Sequence, residues 1–482
     1  MIITRLKTLH MENPMGIDTI PYFSWIMESD TPNTEQASYR ITITDPDGVC
    51  VYDSGLVESN CNTYITCPGL VLCSRTCYKW TVTVIDNYGK CAAADATFET
   101  ALLADSDWSA QWVKSSLRRK KGKPGFGKQQ PATLFRKPFE LKSQPVKARL
   151  YATCHGIYEF YINGVRGDAR LFAPEHTVYE KYLCYQTYNV TDHLSSGENV
   201  LGMYVGDGWY LGPQTRPNMK KLDYAHAVLF QLEVTYADGS IECICSDETV
   251  KVSYGPVISS DLFGGEYYDA NKQIKDWCTS AYEAAEWKSC VKAKYGYENL
   301  VSQLGEPVMI IRELPVATVL KSPKGETILD FGQNFAGYVR MKVNAPKGTT
   351  VTLEHCEVLD PAGNFFNNTL SVGGIGNGVD QKIVYVSNGE PTVYEPHFTY
   401  HGFRYVRVSG IEVNADDYTA CVISTQKTNT GTFNSSDERL NRLYQNIDGR
   451  STLICFRSLR TAHREKRPDG QVTCSYMLKL LC

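Results

Sequence analysis

Tyr39-Arg40-Ile41-Thr42-Ile43-Thr44 alternates apolar with polar, turns at Asp45-Pro46-Asp47-Gly48, and resumes at Val49-Cys50-Val51-Tyr52. A period of two marks a half-buried strand, because successive side chains point to opposite faces. Tyr78-Lys79-Trp80-Thr81-Val82-Thr83-Val84 repeats the pattern. Further out, turn signals recur at Asp86-Asn87-Tyr88-Gly89, Ala237-Asp238-Gly239 and Asp360-Pro361-Ala362-Gly363. Short strands punctuated in this way predict sandwiches or jelly rolls. No long helical period appears before about residue 435. The expected fold is mainly β: three consecutive β-sandwich or jelly-roll-like domains, then one short helix and an irregular tail.

The chain has 482 residues, 49 Lys+Arg against 53 Asp+Glu, and 43% hydrophobic residues. That composition excludes a disordered chain. The formal charge of −4 gives no electrostatic case for nucleic acid as a partner. No apolar run reaches the ~18–20 residues that span a bilayer. Met1 to Gly16 lacks the apolar core of a secretory signal, so the expected compartment is the cytoplasm with no membrane partner. Seventeen cysteines without a recurring C-x-x-C predict no zinc site and read as reduced, small core hydrophobes. Cys243-Ile244-Cys245 is C-x-C, which a strand places on one face.

Segmentation follows the strand runs. Residues 1–105 read as a small fibronectin-III-like sandwich, with Trp25 and Trp80 as core anchors rather than sugar-stacking platforms. Residues 106–131 read as a linker. Its basic run, Arg118, Arg119, Lys120, Lys121, Lys123 and Lys128, is broken by Gly122, Pro124, Gly125 and Gly127 and reads as a solvated loop. Residues 132–300 form the second β-domain, where Tyr158–Ile162 runs into an Asn163-Gly164 hairpin turn. Residues 301–428 form the third. Helical spacing begins only in residues 429–447: Ser435-Ser436-Asp437-Glu438 has capping-box spacing, and Leu440, Leu443, Tyr444 and Ile447 share one face. From Asp448 the period collapses, and residues 448–482 read as an irregular tail.

Chemical signatures are few. There is no G-x-S-x-G, H-E-x-x-H or P-loop. Gly373-Gly374-Ile375-Gly376-Asn377-Gly378 precedes no helix, so it reads as a loop rather than a phosphate cradle. Glu354 and Glu357 flank His355 but fall on opposite faces of a strand, a poor acid/base pair. No catalytic, cofactor-binding or metal-ligating residue is assigned, and no cofactor is expected. The weak substrate-binding candidates are Trp209 and Tyr210 in Gly206-Asp207-Gly208-Trp209-Tyr210; the favoured reading is that they pack a domain seam, since Gly206 and Gly208 flank them for backbone reasons.

Order and spacing of longer motifs carry a resemblance. Asn13-Pro14-Met15-Gly16-Ile17-Asp18, Tyr52-Asp53-Ser54-Gly55, Asp107-Trp108-Ser109-Ala110-Gln111-Trp112, Ile162-Asn163-Gly164, Asp330-Phe331-Gly332-Gln333-Asn334 and Tyr400-His401-Gly402-Phe403-Arg404-Tyr405 together resemble the bacterial α-L-rhamnosidases of glycoside hydrolase family 78. The resemblance runs from about residue 10 to about residue 447. It implies a rhamnosidase N-terminal β-sandwich at 132–300, a concanavalin-like β-domain at 301–428, and the first helix of a six-hairpin (α/α)6 barrel at 429–447. In the intact family that barrel removes terminal α-L-rhamnose from glycosides by an inverting mechanism with two carboxylates.

The chain departs from the family where the barrel hallmark, approximately S-V-P-T-D-C-P-Q-R-E, should stand. It has Ser458-Leu459-Arg460-Thr461-Ala462-His463-Arg464-Glu465-Lys466 instead. Suitable codons for Phe456 to Lys466, read from the third base, give that hallmark. The same offset over Gln471 to Leu481 gives G-D-V-Q-L-Y-A-E-T-A-L, a sensible helix. A frameshift near Ile447–Asp448 is the expected cause. Only about 50 residues follow Thr432, whereas twelve helices of ~11–12 residues need well over ~130. The expectation is therefore a truncated, inactive α-L-rhamnosidase with the catalytic barrel missing. The alternatives are a non-catalytic rhamnoside-binding protein and a functionless fragment. The partner implied for the intact family is a rhamnose-containing glycoside, and the oligomeric state stays open.

Overall fold

A computed structural model describes residues 1–117, 131–179, 181–211, 225–262, 264–366, 381–425 and 431–454. The basic run from Arg118, the glycine-rich stretch 373–378 and the altered hallmark at 458–466 lie outside these residues. The chain is mainly β, as the alternation predicts, and the strands among the described residues gather into five sheets.

In the N-terminal unit, the alternating strands Gln36–Thr44 and Cys77–Asp86 pair antiparallel, and Cys91–Thr100 flanks the latter. A smaller sheet of Ile2–Thr8, Tyr22–Glu28 and Ile65–Thr66 faces them. Phe23, Trp25, Trp80 and Phe98 are buried between the two. The Trp25 indole N–H donates to Gln36 Oε1 at 2.9 Å. Both tryptophans are thus core, because burying a ring this large contributes more than leaving it exposed.

Two further sheets enclose the second core. One centres on Lys147–His155 and Ala227–Thr235, the other on Thr133–Leu141 and Gly197–Gly206. Asn163 and Gly164 both have positive φ, 53° and 84°, as a two-residue hairpin turn of primed type requires.

The last sheet is the largest. Its spine is Thr327–Val343, whose pairing with His401–Ser409 shifts between Asp330 and Phe335. Gly332 sits in that bulge at φ +79°. The sheet also takes two strands from earlier in the chain: Val257–Asp261 pairs with Gly265–Asp269, which runs parallel to Lys382–Val386. The second and third units are therefore joined by backbone hydrogen bonds as well as by side chains.

One long helix, Glu438–Ile454, closes the described chain. It differs from expectation at both ends. Asp437, not Ser435, caps it, its Oδ1 accepting from Arg439 N at 2.9 Å; an N-cap carboxylate satisfies the N2 donor. It also runs past residue 447, since residues 448–454 hold only one strong helix-breaker, Gly449, and elongation is cheap once a helix is nucleated. Leu440, Leu443 and Ile447 on its apolar face are exposed. Among the described residues no helix is long and apolar enough to cross a membrane.

Candidate functional site at the seam of the second and third units

Trp209 and Tyr210 lie on a one-turn helix, Gly208–Leu211, that follows the strand Gly197–Gly206. The sequence reading weighed a sugar-binding role for them against packing at a domain seam and favoured the seam. The structure buries both, at 8% and 1% exposure. Tyr210 stacks on His155 with centroids 4.3 Å apart, and Trp209 packs edge-on to Phe172 and His176. The flanking glycines explain the burial. A Cβ on Gly206 would stand 2.5 Å from Phe398, and one on Gly208 would stand 2.5 Å from Ile157. Below them His226 bridges Asp207 Oδ1 at 2.8 Å and Thr133 Oγ1 at 2.9 Å. Hydroxyl, imidazole and carboxylate in series suggest nucleophilic catalysis, but all three are buried among the described residues.

In the third segment Glu354, one of the two carboxylates flanking His355, is engaged, and so is Asp330. Glu354 accepts two bonds from Arg407, at 2.9 and 2.7 Å. Asp330 takes the Arg404 guanidinium in a fork at 2.8 Å on each oxygen. His355 is fully buried, and burial pulls its pKa down to about 4, so it stays neutral.

A polar cleft of about 360 Å³ opens where the two units meet, lined by Glu159, Tyr161, Arg166, Tyr268, Glu395 and His397 among others. Glu159 stands on the strand Ile157–Ile162 of the second unit. Its carboxylate accepts from Tyr161 Oη at 2.7 Å and from His397 Nδ1 at 3.0 Å, and Arg166 lies 3.5 Å away. Burial alone would push its pKa up. The charges of Arg166 and His397 and the two hydrogen bonds outweigh burial and hold it at about 2. Burial pulls His397 down, but the Glu159 charge and hydrogen bond win and its pKa is raised.

A second buried carboxylate locks the same loop. Glu266 accepts from Tyr394 Oη at 2.8 Å, from His397 N at 3.1 Å and from Phe398 N at 2.9 Å. Glu395, at the rim, accepts from Tyr338 Oη at 3.0 Å and from Arg340. Sequence reasoning missed this cluster. Its members lie on strands and loops up to 238 residues apart, and no local pattern joins them.

Chemically the cluster is a joint. A general acid needs a raised pKa and a free proton aimed at substrate; Glu159 is held ionised, and both oxygens of Glu266 face fixed donors. Among the described residues no group of three His, Cys, Asp or Glu is placed to hold a metal.

Comparison with known proteins agrees with this architecture. Residues 3–104 match the family described as Rha78A-like, N-terminal immunoglobulin domain. Residues 143–312 match the alpha-L-rhamnosidase N-terminal domain, and residues 320–424 match the bacterial alpha-L-rhamnosidase concanavalin-like domain. The chain carries the N-terminal domains of the bacterial α-L-rhamnosidases. An α-L-rhamnosidase of Formosa agariphila is 30% identical over 97% of this chain and 52% of that protein. The solved α-L-rhamnosidase of Dictyoglumus thermophilum superposes with a TM-score of 0.88 at 28% identity, covering 96% of this chain and 54% of that one. That of Streptomyces avermitilis, complexed with L-rhamnose, gives 0.86 at 25% identity, covering 95% and 60%. The chain thus spans about half the length of the rhamnosidases it matches, and the seam cluster lies within the shared region.

Proposed function

We propose that this chain is the non-catalytic β-scaffold of an α-L-rhamnosidase and that the 482-residue polypeptide alone does not hydrolyse rhamnosides. In this reading residues 1–105, 132–300 and 301–428 are three structural domains, and 106–131 connects the first two, with Val113–Lys114 pairing into the second domain's sheet. The segment 429–447 begins the first helix of the catalytic barrel. The intact enzyme would remove terminal α-L-rhamnose from glycosides. The observation that carries the reading is the engagement of the seam carboxylates. An inverting glycosidase keeps its two carboxyl groups roughly 6.5–9.5 Å apart with a water between them, whereas Glu159 and Glu266 both clamp the His397 loop. The shifted-frame reading of residues 456–466 supports an out-of-frame tail.

The burial of Trp209 and Tyr210 weighs against a rhamnoside-binding role for those rings. A functionless fragment is the second reading, favoured by the exposed face of Leu440, Leu443 and Ile447. An aryl α-L-rhamnoside incubated at high protein loading is expected to release no more phenol than a heat-killed control. Release above that control sinks the scaffold reading. The nucleotide sequence through codons 445–482 tests the tail; an uninterrupted gene there would overturn the frameshift.

A further inference from the structure

The C-x-C motif is not used by the scaffold. Cys243 and Cys245 lie on the strand Ile241–Cys245, which pairs with Ala227–Thr235 and, among the described residues, with no strand on its outer edge. Ile244 between them points into the core. The two thiols therefore share the opposite face. Their sulfurs are 3.3 Å apart. Cys243 is exposed and Cys245 half-buried. Across the ladder they face Glu233 and Gln231. Glu233 in turn accepts Arg75 Nε at 2.7 Å from the N-terminal unit. The thiols thus sit beside the joint of the first two units, in reach of solvent.

We propose that Cys243 and Cys245 form a dithiol modification site that exchanges with low-molecular-weight disulfides and closes into an intrastrand disulfide. Two residues of extended strand span about 6.4–6.8 Å between Cα atoms, the upper end of the range of about 4.4–6.8 Å that a disulfide bridges; the roughly parallel Cβ atoms must approach to about 3.5–4.5 Å, so closure bends this edge strand. The Cys245 thiolate attacks one sulfur of a disulfide RSSR. A Cys245–SR bond forms as the RS–SR bond breaks, and RS⁻ leaves. Cys243 gives its proton to solvent and attacks Cys245 Sγ. The Cys243–Cys245 bond forms, and the second RS⁻ is expelled. The two cysteines are oxidised and RSSR is reduced to two thiols. The order of attack follows the hydrogen bond between the sulfurs, which lowers Cys245 and raises Cys243; the thiolate is the nucleophile.

The test incubates the full chain with oxidised glutathione, alkylates the remaining thiols and maps the tryptic peptide 222–251, whose only cysteines are these two. The expected result is loss of two hydrogens from that peptide, reversed by dithiothreitol. In Cys243→Ser, glutathione should stay trapped on Cys245. A peptide that stays reduced while exposed Cys50 and Cys61 acquire glutathione overturns the proposal, as do separate glutathiones on both cysteines. Phenylarsine oxide on the unaltered chain is a second readout: it should protect both thiols from alkylation together, and failure to do so counts against the site.

Discussion

Replacing Glu159 by Gln tests the seam most directly. The amide keeps the side chain's volume and an acceptor for Tyr161, but removes the charge facing His397 and Arg166. The folded-state pKa falls from 4.5 to about 2; at 1.36 kcal/mol per unit that is about 3 kcal/mol of stability. The variant loses less, because His397 can discharge and Arg166 is one-third exposed; about 2 kcal/mol is expected near pH 5.5. The sign follows from the two partners. Glu159 is depressed, so its contribution is full above its unfolded value of 4.5 and is lost as pH falls toward 2. His397 is raised, so its contribution is full below 6.5 and is lost as pH climbs through its folded pKa. The joint should be firmest between those limits. Urea unfolding read by tryptophan fluorescence is the assay, since Trp277 lies 5.6 Å from Tyr161. A Glu159→Gln midpoint within about 0.5 kcal/mol of the parent near pH 5.5 would refute the reasoning. So would an unchanged loss of stability below pH 4.5.

Other substitutions probe the rest of the scaffold. Trp80→Ala empties the centre of the N-terminal core and should cost about 3–5 kcal/mol in urea unfolding of that unit. Gly206→Ala drives a methyl into Phe398 across the seam and should destabilise by about 1–3 kcal/mol, measured by thermal melting. Leu443→Asp, on the exposed helix face, should leave the melting transition within about 0.5 kcal/mol of the parent. A large loss there would mean that this face of the helix is covered.

Cysteine usage shows how far composition can mislead. The reading as core hydrophobes holds for buried residues such as Cys154, Cys184 and Cys421 but fails for Cys50, Cys61, Cys73, Cys77, Cys91 and Cys243, which are exposed. Residue type gives an average burial, while the strand face decides the individual case. The same holds for Trp209. Its glycine neighbours were legible, but not what those glycines allowed to approach.

The local pattern was enough for the period-two strands, the Asn163-Gly164 turn, the buried Trp25 and Trp80, and the ordered motifs that mark a rhamnosidase. The strands, the turn and the tryptophans depend on residues a few positions apart, whose relation the backbone geometry fixes; the motifs depend on their order along the chain. Only the tertiary structure put Gly265–Asp269 beside Lys382–Val386, brought Glu159 to His397, and turned Trp209 and Tyr210 inward. Those contacts join segments from about 33 to 238 residues apart. A strand's alternation says which side chains leave each face, but the partner that meets them is chosen by the packing of whole sheets.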